Sequence, residues 1–103
     1  MEDSRRQSGC LEISCHMIEF NVKPGEVMED SFTIHAENQY AQGKLYSSDT
    51  RIRLYETEFK GEDTEIGYCF DATTAEAGSN IKGEIVIISN CGEYTIPYHI
   101  EVQ

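Results

Sequence analysis

The chain has 103 residues with 19 acidic and 8 basic side chains, and its formal net charge is -11. This length fits one domain with a single core, and the negative charge disfavours nucleic acid and anionic membranes as partners. The sequence has no run of about 18 apolar residues and carries charges among its first twenty positions, so it predicts no transmembrane helix, no secretory signal peptide and a cytoplasmic location.

The beginning of the chain divides into a leader and two short alternating segments. Residues 1–10 are mostly polar and lack periodicity, which predicts a disordered leader, or one added for expression, before a domain at residues 11–103. Apolar and polar residues alternate over 11–15 and again over 17–22, but with opposite phase. The one-residue shift predicts either a bulge or a strand that crosses between two sheets.

A turn and several further strands are predicted in the middle of the chain. Lys23-Pro24-Gly25-Glu26 has proline and glycine at the central positions of a type II turn, so it predicts a connection between two strands. Strands are predicted at residues 27–36, 43–47, 51–55 and 64–71. Residues 59–63 are interpreted as a loop whose aromatic closes the end of the core, and residues 72–80 as a loop or one helical turn.

The strongest pattern is a β-hairpin at residues 81–103. Its second half alternates strictly, with one face formed by Tyr94, Ile96, Tyr98, Ile100 and Val102. The unbroken apolar run from Ile85 to Ile88 predicts a strand covered on both sides. Between the two lies a turn cluster at residues 90–93. With seven or eight strands at intervals near ten residues, the chain is predicted to be an all-β, antiparallel β-sandwich.

Metal chemistry is not favoured by the residues that could support it. Cys10, Cys15, Cys69 and Cys91 have no zinc-site spacing, so free thiols are expected, with Cys91 at a turn tip the most exposed. The histidines at 16, 35 and 99 are scattered. Residues 56–65 are rich in acidic side chains but lack the calcium-loop pattern, which favours a solvated loop. No metal site is predicted.

Catalytic motifs are also missing from the sequence. It contains no G-x-S-x-G, P-loop or dinucleotide-binding glycine pattern, so we expect no enzyme activity and no cofactor. Asp49 with Arg51 and Arg53 is interpreted as a turn cap rather than a pocket. The candidate binding residues are three tyrosines in or beside loops, which can stack on sugar rings or anchor a protein: Tyr40, Tyr46 and Tyr55. The alternative for Tyr46 or Tyr55 is a place in the core.

Four stretches of the chain resemble a known family. They are Gly43 to Ile52, Phe59-Lys60-Gly61, Ile66 to Phe70, and Gly83 to Pro97 with its Asn90-x-Gly92-Glu93-Tyr94 turn. These residues are similar to the N-terminal segment of a domain-of-unknown-function family in large proteins of clostridia-like bacteria. The resemblance covers about residues 11 to 103. It implies an immunoglobulin-like β-sandwich ahead of a long remainder, and it supplies no catalytic residues.

The expected function is that of a non-enzymatic immunoglobulin-like module within a larger bacterial protein. Its partner is expected to be another protein or a neighbouring domain of the same chain, reached by an exposed strand edge. An edge-strand homodimer is a further option. The alternative function is a carbohydrate- or cell-wall-binding sandwich that uses Tyr40, Tyr46 or Tyr55 on a glycan.

Overall fold

The computed structural model describes residues 11–37, 41–49, 51–90 and 92–103. Within these ranges no helix is long and apolar enough to cross a membrane. The described residues form nine strands: β1 Leu11–Ile13, β2 Ile18–Val22, β3 Val27–Ala36, β4 Gln42–Ser47, β5 Ile52–Leu54, β6 Glu58–Lys60, β7 Asp63–Asp71, β8 Asn80–Ser89 and β9 Gly92–Val102. The predicted leader at residues 1–10 lies outside the described residues.

The strands form two sheets that face each other. The four-stranded sheet has the order β1-β3-β7-β5, and the five-stranded sheet has the order β2-β9-β8-β4-β6. The predicted all-β, immunoglobulin-like β-sandwich is confirmed. Three details differ from the prediction. The described residues form nine strands instead of seven or eight. β2 runs parallel to β9, and the segment interpreted as a loop contains β6, a strand too short to show alternation, which pairs with β4.

The phase shift between β1 and β2 marks a crossing between the sheets, one of the two predicted outcomes. β1 pairs with β3 in one sheet and β2 pairs with β9 in the other. A shift of one residue reverses the face on which alternating side chains lie. Leu11 and Ile18 therefore both reach the shared core, although they come from opposite sheets.

The predicted turn at Lys23 to Glu26 is confirmed, and it connects strands of different sheets. The Glu26 N–H donates to the Lys23 carbonyl at 3.1 Å. Gly25 has a φ of 89°, which is the left-handed value that the third residue of a type II turn requires and that glycine adopts at low cost. The turn therefore carries the chain from β2 to β3 across the end of the sandwich.

The core lies between the sheets and takes one face from each strand. The predicted inward face of β9 is confirmed, since Ile96, Ile100 and Val102 are almost fully buried and Tyr94 is half-buried at the rim. Phe59 is 4% exposed and belongs to the core, but it does so from β6 and not from the predicted loop. Residues 72–79 form turns, which confirms the predicted loop.

A buried tyrosine hydroxyl organises the loop after β4. Tyr98 is 2% exposed, and its hydroxyl lies 3.0 Å from the Ser47 hydroxyl and accepts the Asp49 N–H at 3.0 Å. The Asp49 carboxylate accepts the Arg51 N–H at 2.8 Å and lies 3.5 Å from the Arg51 guanidinium. The predicted turn-capping role of Asp49 is therefore confirmed. Tyr98 is the buried member of this network, and its hydroxyl is satisfied by the Ser47 hydroxyl and the Asp49 N–H.

Candidate functional site

The candidate tyrosines do not form one platform. Tyr46 follows the buried Leu45 on β4 and lies on the outer face of the five-stranded sheet, where it is 52% exposed. Tyr55 follows β5 and lies against Gly67 on the outer face of the four-stranded sheet, where it is 54% exposed. Neither is in the core, and the whole sandwich separates them. Tyr40 lies outside the described residues.

Tyr55 contacts other residues of its own four-stranded sheet. Its hydroxyl donates to the Glu29 carboxylate at 2.6 Å. This hydrogen bond, followed by one to Cys69 and by partial desolvation, raises the pKa of Tyr55 above its ordinary value. The ring covers Gly67, and the adjacent Cys69 is a free, buried thiol. The Tyr55 ring therefore packs on the outer face of this sheet, and its hydroxyl already has a hydrogen-bond partner.

Tyr46 belongs to an apolar patch on the opposite face. On β4 and β9, Tyr46 and Thr95 lie on either side of Val86 of β8. Ile88, the next outward residue of β8, is 47% exposed, and Pro97 is the next outward residue of β9. We call this surface the Val86 patch; it consists of Tyr46, Val86, Ile88, Thr95 and Pro97.

The Val86 patch corrects one interpretation of the sequence. The run from Ile85 to Ile88 predicts a strand covered on both sides, but only its inner face, with Ile85 and Ile87, lies against the other sheet. Val86 is 5% exposed although it is outside this core cluster. Its neighbours on the outer face shield it. The unbroken apolar run was therefore the sequence signal for an outer apolar surface.

A second feature is an open stretch along β9. β9 runs from Gly92 to Val102, but β2 pairs only with its second half, from Tyr98 onward. Beside the first half lies a groove of about 320 Å³ between the edges of the two sheets. We call it the β9 groove; its lining consists of Leu11, Glu12, Ile13, Cys15, His16, Tyr94, Thr95 and Ile96.

A larger cleft lies at the β6 edge of the five-stranded sheet. Its volume is about 780 Å³, and Phe59 and Ile88 are its large apolar residues. The remaining lining is mostly polar and contains both signs of charge, including Lys44, Lys60 and Glu58. Phe59 is buried, so it lies at the bottom of the cleft. The accessible lining is therefore formed mainly by long polar side chains in contact with solvent. Among the described residues, the lining of the cleft belongs to no group of histidine, cysteine and acidic side chains that could hold a metal ion.

Two of the histidines, His35 and His99, contact polar side chains of neighbouring strands at the surface. The His35 Nδ1 lies 2.7 Å from the Asp63 carboxylate across β3 and β7. His99 lies 3.0 Å from the Asn80 side chain and 3.6 Å from the Glu19 carboxylate. Among the described residues, no group of three or more histidine, cysteine and acidic side chains is arranged to hold a metal ion. Cys15 and Cys69 are free, whereas Cys10 and Cys91 lie outside the described residues.

The ring of His35 is expected to titrate above its ordinary range. The hydrogen bond to Asp63 and the negative charges of Asp63, Glu12 and Glu62 raise the pKa of His35 above 6.5. Protonation of His35 therefore stabilises the fold fully below the unfolded-state pKa, and the contribution is lost as pH rises through the higher folded-state value. An NMR titration of the His35 ring protons measures this pKa.

Asp63→Asn should lower the pKa of His35, because it removes both the charge and the charged acceptor. Glu65→Gln is the matched control, since Glu65 lies two residues along the same strand and bonds to Ser31 instead. An equal fall in both variants would contradict the assignment to Asp63.

Comparisons with solved structures agree with the fold. The PapD-like domain 7 of human CEP192 is similar, with a TM-score of 0.76 and 10% identity over 94% of this chain and 87% of that one. A Bacteroides ovatus GH5 xyloglucanase, solved with a XXXG heptasaccharide, has a TM-score of 0.73 and 11% identity over 90% of this chain. The periplasmic chaperone SfaE has a TM-score of 0.57 and 10% identity over 90% of this chain and 57% of that one.

These likenesses show the fold alone, because all the identities are low. The match spans only 19% of the xyloglucanase chain. A comparison with curated proteins found no match.

The sequence profile that matches the chain has no assigned activity. It is described as the N-terminal part of a family of unknown function, DUF5717, and it matches residues 2–103. The match confirms the predicted resemblance to the N-terminal domain of a family of unknown function. The chain therefore belongs to the DUF5717 N-terminal family.

Proposed function

We propose that this domain is a non-enzymatic interaction module of a larger bacterial protein, and that its partner is a neighbouring domain of the same protein. The Val86 patch is the surface on which that neighbour packs. The immunoglobulin-like sandwich supports the proposal because such a fold presents broad sheet faces and strand edges to other proteins. The family description supports it too, since an N-terminal family implies a longer protein.

The Val86 patch is the single observation that carries the proposal. Tyr46 and Ile88 expose about half of their surface beside Val86, in a chain whose formal net charge is -11. A contiguous exposed apolar surface marks an interaction site. Its central tyrosine and isoleucine, with charged residues such as Lys44 and Glu93 beside them, follow the arrangement of an apolar centre within a polar rim.

A glycan-binding function has less support from the structure. Sugar platforms use exposed aromatic rings, but Tyr46 and Tyr55 lie on opposite faces and Tyr55 already donates to Glu29. Of the two candidate tyrosines that the structure describes, only Tyr46 would be left to carry the binding. The likeness to a xyloglucanase concerns the fold and does not favour a sugar ligand for this chain.

Hydroxyl-radical footprinting of the two tyrosines tests the proposal. Tyr46 and Tyr55 are the same residue type at 52% and 54% exposure, so they form a matched pair on opposite faces. In the 103-residue chain both should be oxidised at similar rates. In the full-length protein, oxidation of Tyr46 should fall about 5-fold or more, as burial removes most of its surface, while Tyr55 changes little.

The proposal fails if Tyr46 keeps its reactivity in the full-length protein, or if both tyrosines lose it equally. A variant of the Val86 patch provides a second test of the proposal. Ile88→Lys places a charge on the Val86 patch without touching the core, so it should restore Tyr46 oxidation in the full-length protein. The control Thr33→Lys, on the opposite face, should not.

A further inference from the structure

We propose that the β9 groove binds an extended segment of another protein, which adds a strand beside Glu93–Pro97 of β9 and alternates apolar with basic side chains. This inference rests on the proposed role as an interaction module and deepens it, because it names a second surface and the chemistry of the segment that the surface takes.

On this side, the first half of β9 has backbone groups that make no hydrogen bond to another backbone group of the described ranges. The Val102 backbone bonds to Gly78 and Ser79 on the β8 side, whereas the Gln103 N–H donates to Val22 on the β2 side at 2.8 Å. The β8–β9 register is unbroken, so odd-numbered residues of β9 direct their N–H and C=O toward β2. These residues in the first half of the strand are Glu93, Thr95 and Pro97.

Those groups have room for a partner. Glu93 and Thr95 each present an N–H and a C=O, and proline at 97 presents a C=O alone. β2 begins its pairing with β9 at Tyr98, and within the described ranges no other backbone group bonds to Glu93, Thr95 or Pro97 on this side. An incoming strand can therefore make main-chain hydrogen bonds here, as in β-strand addition.

The groove also provides a place for side chains. Residues of an added strand that lie opposite Tyr94 and Ile96 point inward, toward the space between the sheets. There they meet Ile13 and Cys15, which are only partly buried at the rim of the core. The volume of about 320 Å³ is at the lower end of ligand pockets, which span roughly 300–1,000 Å³. It suits one or two apolar side chains of a peptide.

The length of the segment follows from the neighbouring strand. Among the described residues, no strand pairs with β9 from Glu93 to Pro97 on this side, and β2 pairs with it from Tyr98 onward. At about 3.3 Å per residue, five residues of an added strand span roughly 17 Å. The bound core of the segment is therefore about five residues, with two apolar positions inward and three positions outward.

The charge of the surface determines which side chains are preferred at the outward positions of the bound segment. Glu93 lies on β9 and Glu12 lines the groove, whereas no lysine or arginine is among the lining residues that the structure describes. The formal net charge of -11 adds an attraction for cations over a longer range. Lysine or arginine at the outward positions therefore complements this surface. The same charge disfavours a second copy of the chain, and a glutamate and a proline at an open edge also hinder pairing between identical edges.

Peptide binding tests the sequence preference. A fluorescein-labelled heptapeptide that alternates lysine and valine should bind the chain saturably in an anisotropy titration. A peptide of the same composition with its valines adjacent, and one with glutamate in place of lysine, should each bind at least about 10-fold more weakly, since one loses the alternation and the other the charge match. Equal binding of the three peptides would overturn the proposal.

Amide hydrogen exchange locates the binding. The amides of Glu93 and Thr95 should become slower to exchange when the lysine–valine peptide is added. Glu65, on the side of β7 beyond the end of β5, is the control and should not change. A peptide N-methylated on the residues that bond to β9 should bind at least about 10-fold more weakly, because it cannot donate to the ladder. The comparison of the two peptides uses the unmodified protein.

Variants of the edge complete the test. Thr95→Pro removes the N–H that faces the groove and should weaken peptide binding at least about 10-fold, whereas Thr95→Ala keeps that N–H and should stay within about 3-fold. Glu93→Lys should weaken the lysine peptide and strengthen the glutamate peptide. Unchanged binding in Thr95→Pro, with a native circular dichroism spectrum, would sink the inference.

The outcomes separate this inference from the proposed function. Loss of Tyr46 oxidation in the full-length protein without any protection of Thr95 by peptide would refute the β9 groove and leave the Val86 patch. A chain that dimerises in sedimentation, and whose dimer Thr95→Pro dissociates, would assign the edge to a second copy and overturn the partner proposed here.

Discussion

Replacing Ile87 with alanine should lower the free energy of unfolding by about 2–5 kcal/mol, because it leaves a cavity in the core. Ile87 is fully buried on the inner face of β8, and it pairs with Tyr94 across the hairpin. A domain of this size has a total stability of about 5–15 kcal/mol, so the variant should lose a large part of it. Urea unfolding followed by far-UV circular dichroism measures the change.

The adjacent residue provides the matched control for this experiment. Ile88 is the same residue type in the same strand, but it is 47% exposed on the outer face. Ile88→Ala should cost about 1 kcal/mol or less, mainly from the lower β-propensity of alanine. Equal losses for Ile87→Ala and Ile88→Ala would mean that the strand does not have one core face and one outer face.

Replacing Gly83 with alanine should cost about 2–3 kcal/mol through overpacking. A Cβ at this position would lie 2.5 Å from the Tyr98 hydroxyl oxygen and 2.6 Å from the Ser48 hydroxyl oxygen. Tyr98 cannot move away easily, since it is 2% exposed and its hydroxyl bonds to Ser47 and Asp49. The same urea experiment measures the loss.

Gly67→Ala separates this effect from the general cost of changing a strand glycine. A Cβ at Gly67 would lie 2.9 Å from a carbon of the Tyr55 ring, but Tyr55 is 54% exposed and can turn toward solvent. Its cost should be below about 1 kcal/mol, because alanine also favours a strand more than glycine does.

A double variant tests the cause directly. Combined with Tyr98→Phe, Gly83→Ala should cost less than it does alone, since the closest oxygen is gone. The two changes would add fully if Tyr98 were not the obstacle.

The sequence predicted the strands well wherever alternation was long. In β9, five inward residues in strict alternation identified both the strand and its buried face before any tertiary contact was known. In β6, three residues are too few to show a period, so the sequence predicts a loop at Phe59. Its pairing with β4 depends on a partner more than ten residues away, and no local pattern contains that information.

The candidate site was harder to predict, because exposure alone does not show which residues share a face. For Tyr46 and Tyr55 the sequence leaves open exposure beside a loop or a place in the core, and both are exposed. Their positions on opposite sheets follow from a crossing of the chain after β4. The Val86 patch was visible as an apolar run, but a run without polar residues does not tell whether its second face meets another layer or solvent.

The order of side chains along the chain settled which residues form strands, which face of most strands is buried, and where the phase reverses before β2. These properties arise from neighbours in sequence, since alternate side chains of an extended backbone point to opposite sides. Tertiary structure decided the strand order, the separation of Tyr46 from Tyr55 and the open half of β9. Each of these depends on which distant strands pair and where the pairing stops. The backbone groups are the same in every strand, so the local sequence does not specify which distant strand they pair with.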